Sequence, residues 1–307
     1  MPGRARHDLH HHVAPGSRLV TADDDGQVRL RNATTGTISH VLTDYARGVR
    51  TVAFKPDGTS LATVGEDSQM WLWDPNTAIP VATFDTDSIR GIRAAAYSPD
   101  GTVLATADVY RTLHLRDPAT GAVWCTFTTD HYGSRTLAFS TDGTLLAAVG
   151  DGGTVSLWNI DIDTGNVQHT FTHNGTQAIQ AVAFRTDGEM LATADEHGTV
   201  CLSVCLWNLT TGVLRGVLTG HEGAVGALAF SGPWLATAGD NATLRIWDPD
   251  AGTVLTLMRA LSTLTHRQMI TQVMCNLHPS SGGSRTRTRP SSSWNWPGAC
   301  STPCRRP

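Results

Sequence analysis

A sequence pattern that recurs about every 42 residues is the feature that most limits how this chain of 307 residues can fold. Each copy holds an apolar run, a turn that in most copies contains Asp-Gly, and a second apolar run ending in Leu-Ala-Thr or a close variant. The copies are VAFKPDGTSLAT (52–63), AAYSPDGTVLAT (95–106), LAFSTDGTLLAA (137–148), VAFRTDGEMLAT (182–193) and the shortened LAFSGPWLAT (228–237). A repeat of this length indicates that the fold places copies of one small unit side by side.

A second marker, Trp or Arg followed by Asp or Asn, closes each copy. It stands at positions 31, 73, 116, 158, 207 and 247, which gives steps of 42, 43, 42, 49 and 40 residues. Between the markers apolar residues alternate with a period of two, which is typical of strands, and the Asp-Gly pairs favour tight hairpin turns. Helical periodicity is absent from the repeats. The pattern therefore predicts an all-β chain of four-stranded units.

These motifs resemble the WD-repeat β-propeller family, and the likeness covers about residues 17–258. The resemblance implies six recognisable four-stranded blades, with a truncated seven-bladed ring as the alternative. It also implies that a network of His, Ser or Thr, Asp and Trp stabilises each blade. The matching positions are His221, Thr237, Asp240 and Trp247 in the last blade, and Thr63, Asp67 and Trp73 in an earlier one. An abundance of Ala, Thr, Gly and Arg beside a single lysine suggests a GC-rich, bacterial origin.

Several copies depart from this network. The marker position of the third copy holds Arg116 instead of Trp, Ala148 replaces the hydroxyl residue of the fourth, and Asn241 fits the usual spacing better than Asp240. A buried group that loses its hydrogen-bond partner costs about 1–3 kcal/mol. We therefore expect modest stability unless the changes are compensated within each blade.

The first copy lacks an obvious innermost strand. We predict that residues near 269–275 complete the first blade and close the ring, with Leu9 to Val13 as the alternative source of that strand. The predicted organisation is a flexible His-rich N-terminus (1–16), the propeller (17–258), a candidate closing strand (259–283) and a disordered basic tail (284–307).

The sequence predicts no enzyme. It lacks a nucleophile elbow, a phosphate-binding Gly loop and a zinc motif, so no catalytic residue, cofactor or metal site is predicted. Residues 1–258 hold 16 basic and 27 acidic side chains, a balance that disfavours nucleic acid and anionic membranes. No apolar run reaches the roughly 18–20 residues of a membrane span and no secretory signal is visible, so a soluble cytoplasmic monomer is expected.

The predicted function is a non-catalytic scaffold or regulatory module for other proteins. Rigid folds commonly bind partners through the loops that they hold in place, and Tyr and Arg are frequent there. The candidate partner-binding residues are Tyr45, Arg47, Ser88, Arg90, Tyr132, Arg135 and Glu222. Alternatives are the severed sensor part of a signalling kinase or NTPase, a decayed gene product and a propeller enzyme. The last is disfavoured because the innermost strands are apolar and small.

Overall fold

The repeats fold into six separate four-stranded antiparallel sheets, here called blades 1 to 6. The computed structural model describes residues 10–259 except 15–17, 23–26, 33–34, 43–48, 66–68, 86–90, 130–132, 151, 161–166, 173–177, 196–202, 240 and 242. No helix occurs among these residues. The prediction of an all-β propeller built from four-stranded units is confirmed.

Blades 1 to 3 come from the first half of the chain. Blade 1 contains β1 (His10–Ala14), β2 (Arg18–Ala22), β3 (Val28–Asn32) and β4 (Ile38–Leu42). Blade 2 contains β5 (Val49–Phe54), β6 (Leu61–Gly65), β7 (Gln69–Asp74) and β8 (Ile79–Asp85). Blade 3 contains β9 (Ile92–Tyr97), β10 (Leu104–Asp108), β11 (Thr112–Arg116) and β12 (Val123–Thr128).

Blades 4 to 6 repeat the same order. Blade 4 contains β13 (Ser134–Phe139), β14 (Leu145–Gly150), β15 (Thr154–Asn159) and β16 (Val167–Thr172). Blade 5 contains β17 (Ile179–Phe184), β18 (Met190–Asp195), β19 (Ser203–Asn208) and β20 (Leu214–Thr219). Blade 6 contains β21 (Val225–Ser231), β22 (Trp234–Gly239), β23 (Thr243–Asp248) and β24 (Thr253–Arg259). The first strand of each blade is its inner strand.

The Asp-Gly pairs form the turns between the first two strands of a blade. In blade 2 the carboxylate of Asp57 accepts hydrogen bonds from the Thr59 amide at 2.9 Å and the Thr59 hydroxyl at 2.6 Å. Gly58 has a φ of 71° and its amide donates to the carbonyl of Lys55 at 2.8 Å. A residue with a side chain rarely adopts that φ, so the turn depends on glycine.

The hydrophobic core lies between blades. One buried cluster joins Val20 and Leu30 of blade 1 to Phe54 and Trp73 of blade 2, and equivalent clusters join each later pair up to blades 5 and 6. Cα atoms of neighbouring inner strands approach within 8 Å from β1 and β5 through to β17 and β21. Each blade is therefore stabilised by burying apolar area against its neighbours.

The inner strand of blade 1 comes from the N-terminal segment. Strand β1 pairs with β2 from His10 opposite Ala22 to Ala14 opposite Arg18. It occupies the position predicted for residues 269–275, so that prediction is corrected in favour of the alternative at Leu9 to Val13. A strand at His10–Ala14 also corrects the flexible N-terminus predicted up to residue 16. Antiparallel pairing uses backbone groups, so a His-rich segment can supply it.

Blade 6 presents a second apolar cluster on the face that lies away from blade 5. It consists of residues of this blade alone: Ala227, Ala236, Ala238, Leu244 and Ile246. Among the described strands no contact between β21 and β1 matches the contacts within the other pairs of neighbours. Residues 260–307 lie outside the described residues, so the closing strand, the basic tail and the number of blades in the ring stay predictions.

Candidate functional site

Three blades contain a buried hydrogen bond from the marker Trp to a Thr on the second strand. The indole Nε1 of Trp73 donates to Thr63 Oγ1 at 2.8 Å in blade 2, and Trp207 donates to Thr193 at 3.0 Å in blade 5. Both Thr hydroxyls are fully buried. Asp67, predicted to join the network of blade 2, lies outside the described residues.

Blade 6 contains a longer chain of hydrogen bonds. Trp247 Nε1 donates to Thr237 Oγ1 at 2.8 Å, and Thr237 Oγ1 lies 2.6 Å from His221 Nε2. On the other side of the ring, His221 Nδ1 lies 3.2 Å from Thr243 Oγ1, whose hydroxyl donates to Asn241 Oδ1. Since the Trp can only donate, this order assigns the ring proton of His221 to Nδ1.

The structure thus brings together His221, Thr237 and Trp247 of the predicted network. Asp240 lies outside the described residues. Thr243 and Asn241 take part in the chain, and Thr243 was missed by sequence analysis. Its signal was a hydroxyl residue two positions after Asn241, where the two side chains can bond locally.

Arg116 performs in blade 3 the bonding that Trp performs elsewhere. Its Nε donates to the buried Thr106 Oγ1 at 3.0 Å, and its Nη1 donates to the carbonyl of Gly121 at 3.1 Å. Arg116 is itself buried. The sequence analysis treated this position as an erosion of the network, and the structure corrects it to a local compensation. Arg31 of blade 1 makes the equivalent bond to the carbonyl of Gly36 at 3.2 Å.

The candidate partner-binding residues meet the structure at two positions. Arg135 is half-buried in β13, and Glu222 is exposed in the segment that leads into β21. Both lie at the entry face, defined as the end of the blades at which the inner strands begin. The other five, Tyr45, Arg47, Ser88, Arg90 and Tyr132, lie outside the described residues.

A cavity of about 490 Å³ lies between the inner strands of blades 2, 3 and 4. Its walls are largely the backbone and the small or apolar side chains of β5, β9 and β13, with Arg135 among them and Lys55 at the turn that follows β5. Tyr97 also lines it, and burial raises the pKa of that phenol to about 12. The cavity therefore presents permanent positive charge and no described carboxylate.

A β-bulge recurs at the second residue of five inner strands. In blade 2, Val49 pairs with Gly65 and Thr51 with Val64, which leaves the intervening residue without a partner on β6. The same register shift occurs in blades 3 to 6. The bulged residues are Arg50, Arg93, Arg135, Gln180 and Gly226. Sequence analysis missed Arg50 and Arg93, although three successive copies share the arginine.

Neither a metal site nor a membrane span emerges from the described part of the chain. No group of three or more His, Cys, Asp or Glu side chains in that part is arranged to hold an ion. The same part contains no helix with the length and hydropathy to cross a membrane. Of the Trp residues outside the marker positions, Trp124 is 45% exposed, whereas Trp71 stacks on Trp73 with 5.7 Å between ring centroids.

Repeated four-stranded sheets, inter-blade cores and buried Trp–Thr bonds define the class of WD-repeat β-propellers. Comparison with known proteins agrees: four segments match the WD40 family, described as WD domain, G-beta repeat, at residues 36–74, 123–159, 165–202 and 212–248. The chain therefore contains WD40 repeats. A stretch of 66 residues, 22% of the chain, is 35% identical to WD repeat-containing protein 1-A of Xenopus laevis and spans 11% of that protein.

Proposed function

We propose that this propeller is a non-catalytic scaffold that binds other proteins at its entry face. The observation that carries the proposal is that charged side chains, among them Arg135 and Glu222, lie at that face on or beside inner strands whose blades are packed through buried cores. Side chains held by such a scaffold lose little conformational freedom when a partner binds.

The chemistry of the cavity supports binding over catalysis. Its walls include Ala94, Ala95 and Ala96 of β9, and alanine offers no group that transfers protons or attacks a substrate. We propose a monomeric, cytoplasmic, bacterial protein, in line with the sequence expectations. A sensor part of a larger signalling protein would use the same face.

Site-specific photo-crosslinking tests this proposal. A benzophenone amino acid replaces Glu222 on the entry face or, as a control, Val81, which is 70% exposed on the outer strand of blade 2. We expect discrete cross-linked proteins from position 222 that excess unlabelled chain competes away, and none from position 81. Equal patterns at both positions, or no adducts at either, would overturn the proposal.

A further inference from the structure

The three bulged arginines form one continuous group, here called the arginine arc: Arg50, Arg93 and Arg135. They occupy the same position on three successive inner strands, β5, β9 and β13. The level of the bulges is shared between blades, since Thr136 Oγ1, next to Arg135, donates to the carbonyl of Gln180 at 3.4 Å. The extra residue of a bulge is released from the ladder and its side chain is redirected, often towards a binding site.

The arc places permanent positive charge on one half of the entry face. Guanidinium groups stay protonated at all physiological pH values. The bulges of blades 5 and 6 hold the uncharged Gln180 and Gly226 instead. Arg50 also has a donor that the protein does not use, because its Nε is buried without a hydrogen-bond partner. Asp108, beside the bulge of blade 3, is held by the amides of Tyr110 and Thr112 at 2.8 Å.

We propose that the arginine arc binds acidic side chains of an extended segment of a partner protein, a step that rests on the proposed function. Residues i and i+2 of an extended peptide lie about 7 Å apart on one face. That spacing suits neighbouring inner strands whose Cα atoms approach within 8 Å. Each guanidinium can receive one carboxylate through paired hydrogen bonds. The acidic body of residues 1–258 repels long polyanions, which favours a short acidic peptide over nucleic acid.

Fluorescence anisotropy with the full chain and a labelled peptide of alternating Glu and Ala tests the proposal. We expect Arg50→Gln, Arg93→Gln and Arg135→Gln each to weaken binding about tenfold, as the loss of one charge-assisted hydrogen bond implies. Arg215→Gln is the matched control, because this arginine is 42% exposed and pairs with Asp250 away from the arc. Equal effects of all four changes would show a net-charge effect and would overturn the proposal.

A gain of binding tests the geometry independently of any loss of folding. Gln180→Arg extends the arc to the fourth bulge, so we expect several-fold tighter binding of a peptide that is two residues longer. Gln180→Glu should weaken the same peptide. If Gln180→Arg leaves the affinity unchanged while the protein stays folded, the bulge positions do not form one site.

Two further probes separate this inference from the proposed function. A single-stranded oligonucleotide of equal charge should bind more weakly than the peptide, and equal or tighter binding would overturn the choice of ligand. The peptide should also compete with the adducts formed from position 222. Adducts that persist without any peptide binding would overturn the inference alone, whereas loss of both signals would overturn the scaffold function as well.

Discussion

At the scale of single residues, four buried Thr hydroxyls determine what each blade tolerates. Thr63, Thr106, Thr193 and Thr237 are completely buried, and each receives a hydrogen bond from the side chain at the marker position. A donor at that position satisfies the hydroxyl, and its removal leaves a buried oxygen unpaired. The chemistry of the donor therefore matters more than whether it is Trp.

Arg116 provides the direct test of this argument. We expect Arg116→Ala to lower the free energy of unfolding by about 1–3 kcal/mol, since Thr106 loses its donor. Arg116→Trp restores an Nε1–H at the usual marker position and should cost less than the alanine change. Urea denaturation of the three proteins measures the difference. Equal losses from Ala and Trp would contradict a donor function for Arg116.

Gly239 contacts the hydrogen-bond chain of blade 6. A Cβ at this position would lie 2.6 Å from His221 Nδ1 and 3.2 Å from Asn241 Oδ1. We expect Gly239→Ala to destabilise the protein by about 1–3 kcal/mol, as overpacking of a core does. Gly216→Ala on β20 is the control, because nothing lies within 4 Å of its added Cβ. Thermal melts of both variants would contradict the contact if they coincide.

At the scale of elements, the turns between the first two strands depend on ionised aspartates. Hydrogen bonds from the side chain and amide of Thr59, with help from Lys55, lower the pKa of Asp57 to about 2. Hydrogen bonds from Ser98 and Ser140 lower the pKa values of Asp100 and Asp142 in the equivalent turns. Ionisation and turn formation therefore support each other in three blades.

This linkage predicts a loss of stability in acid. A lowered folded pKa means that the stabilisation is complete above the unfolded value of about 3.9 and disappears as the pH falls towards 2. We expect Asp57→Asn to be less stable than the parent at pH 6, with the gap closing by about pH 2. Thr59→Ala should raise the pKa of Asp57, measured by carboxyl NMR titration. A gap that persists at pH 2 would show that the turn does not depend on charge.

How much could be predicted differs between kinds of element. The blades follow from period and alternation, because a half-buried strand needs apolar residues on one face. Strand β1 was placed second because its pairing uses backbone groups and its His-rich sequence shows no such alternation. The arginine arc was missed because Arg50 and Arg93 become equivalent only once the register of β5 and β9 reveals the bulges. Arg116 was misread because its geometry, not its residue type, resembles that of Trp.

At the scale of the whole molecule, an ion cluster joins blades 5 and 6 beyond their apolar contact. The buried guanidinium of Arg185 binds Asp187 at 2.7 Å and Glu189 at 3.2 Å in its own turn, and Asp250 at 3.0 Å in blade 6. Arg215 also contacts Asp250 at 2.8 Å. Repeats of this kind stay cooperative only while the interfaces between neighbours are strong.

Removal of Arg185 should therefore loosen blade 6 before the rest of the ring. We expect Arg185→Met to lower the temperature at which β21 to β24 lose hydrogen-exchange protection, because blade 6 then keeps only its apolar contact with blade 5. Lys55→Gln is the matched control, since Lys55 pairs with Asp57 at 2.9 Å within one turn and its loss leaves every interface between blades intact. If Arg185→Met lowers protection equally in all six blades, the cluster stabilises the ring as one cooperative unit and not the interface between blades 5 and 6.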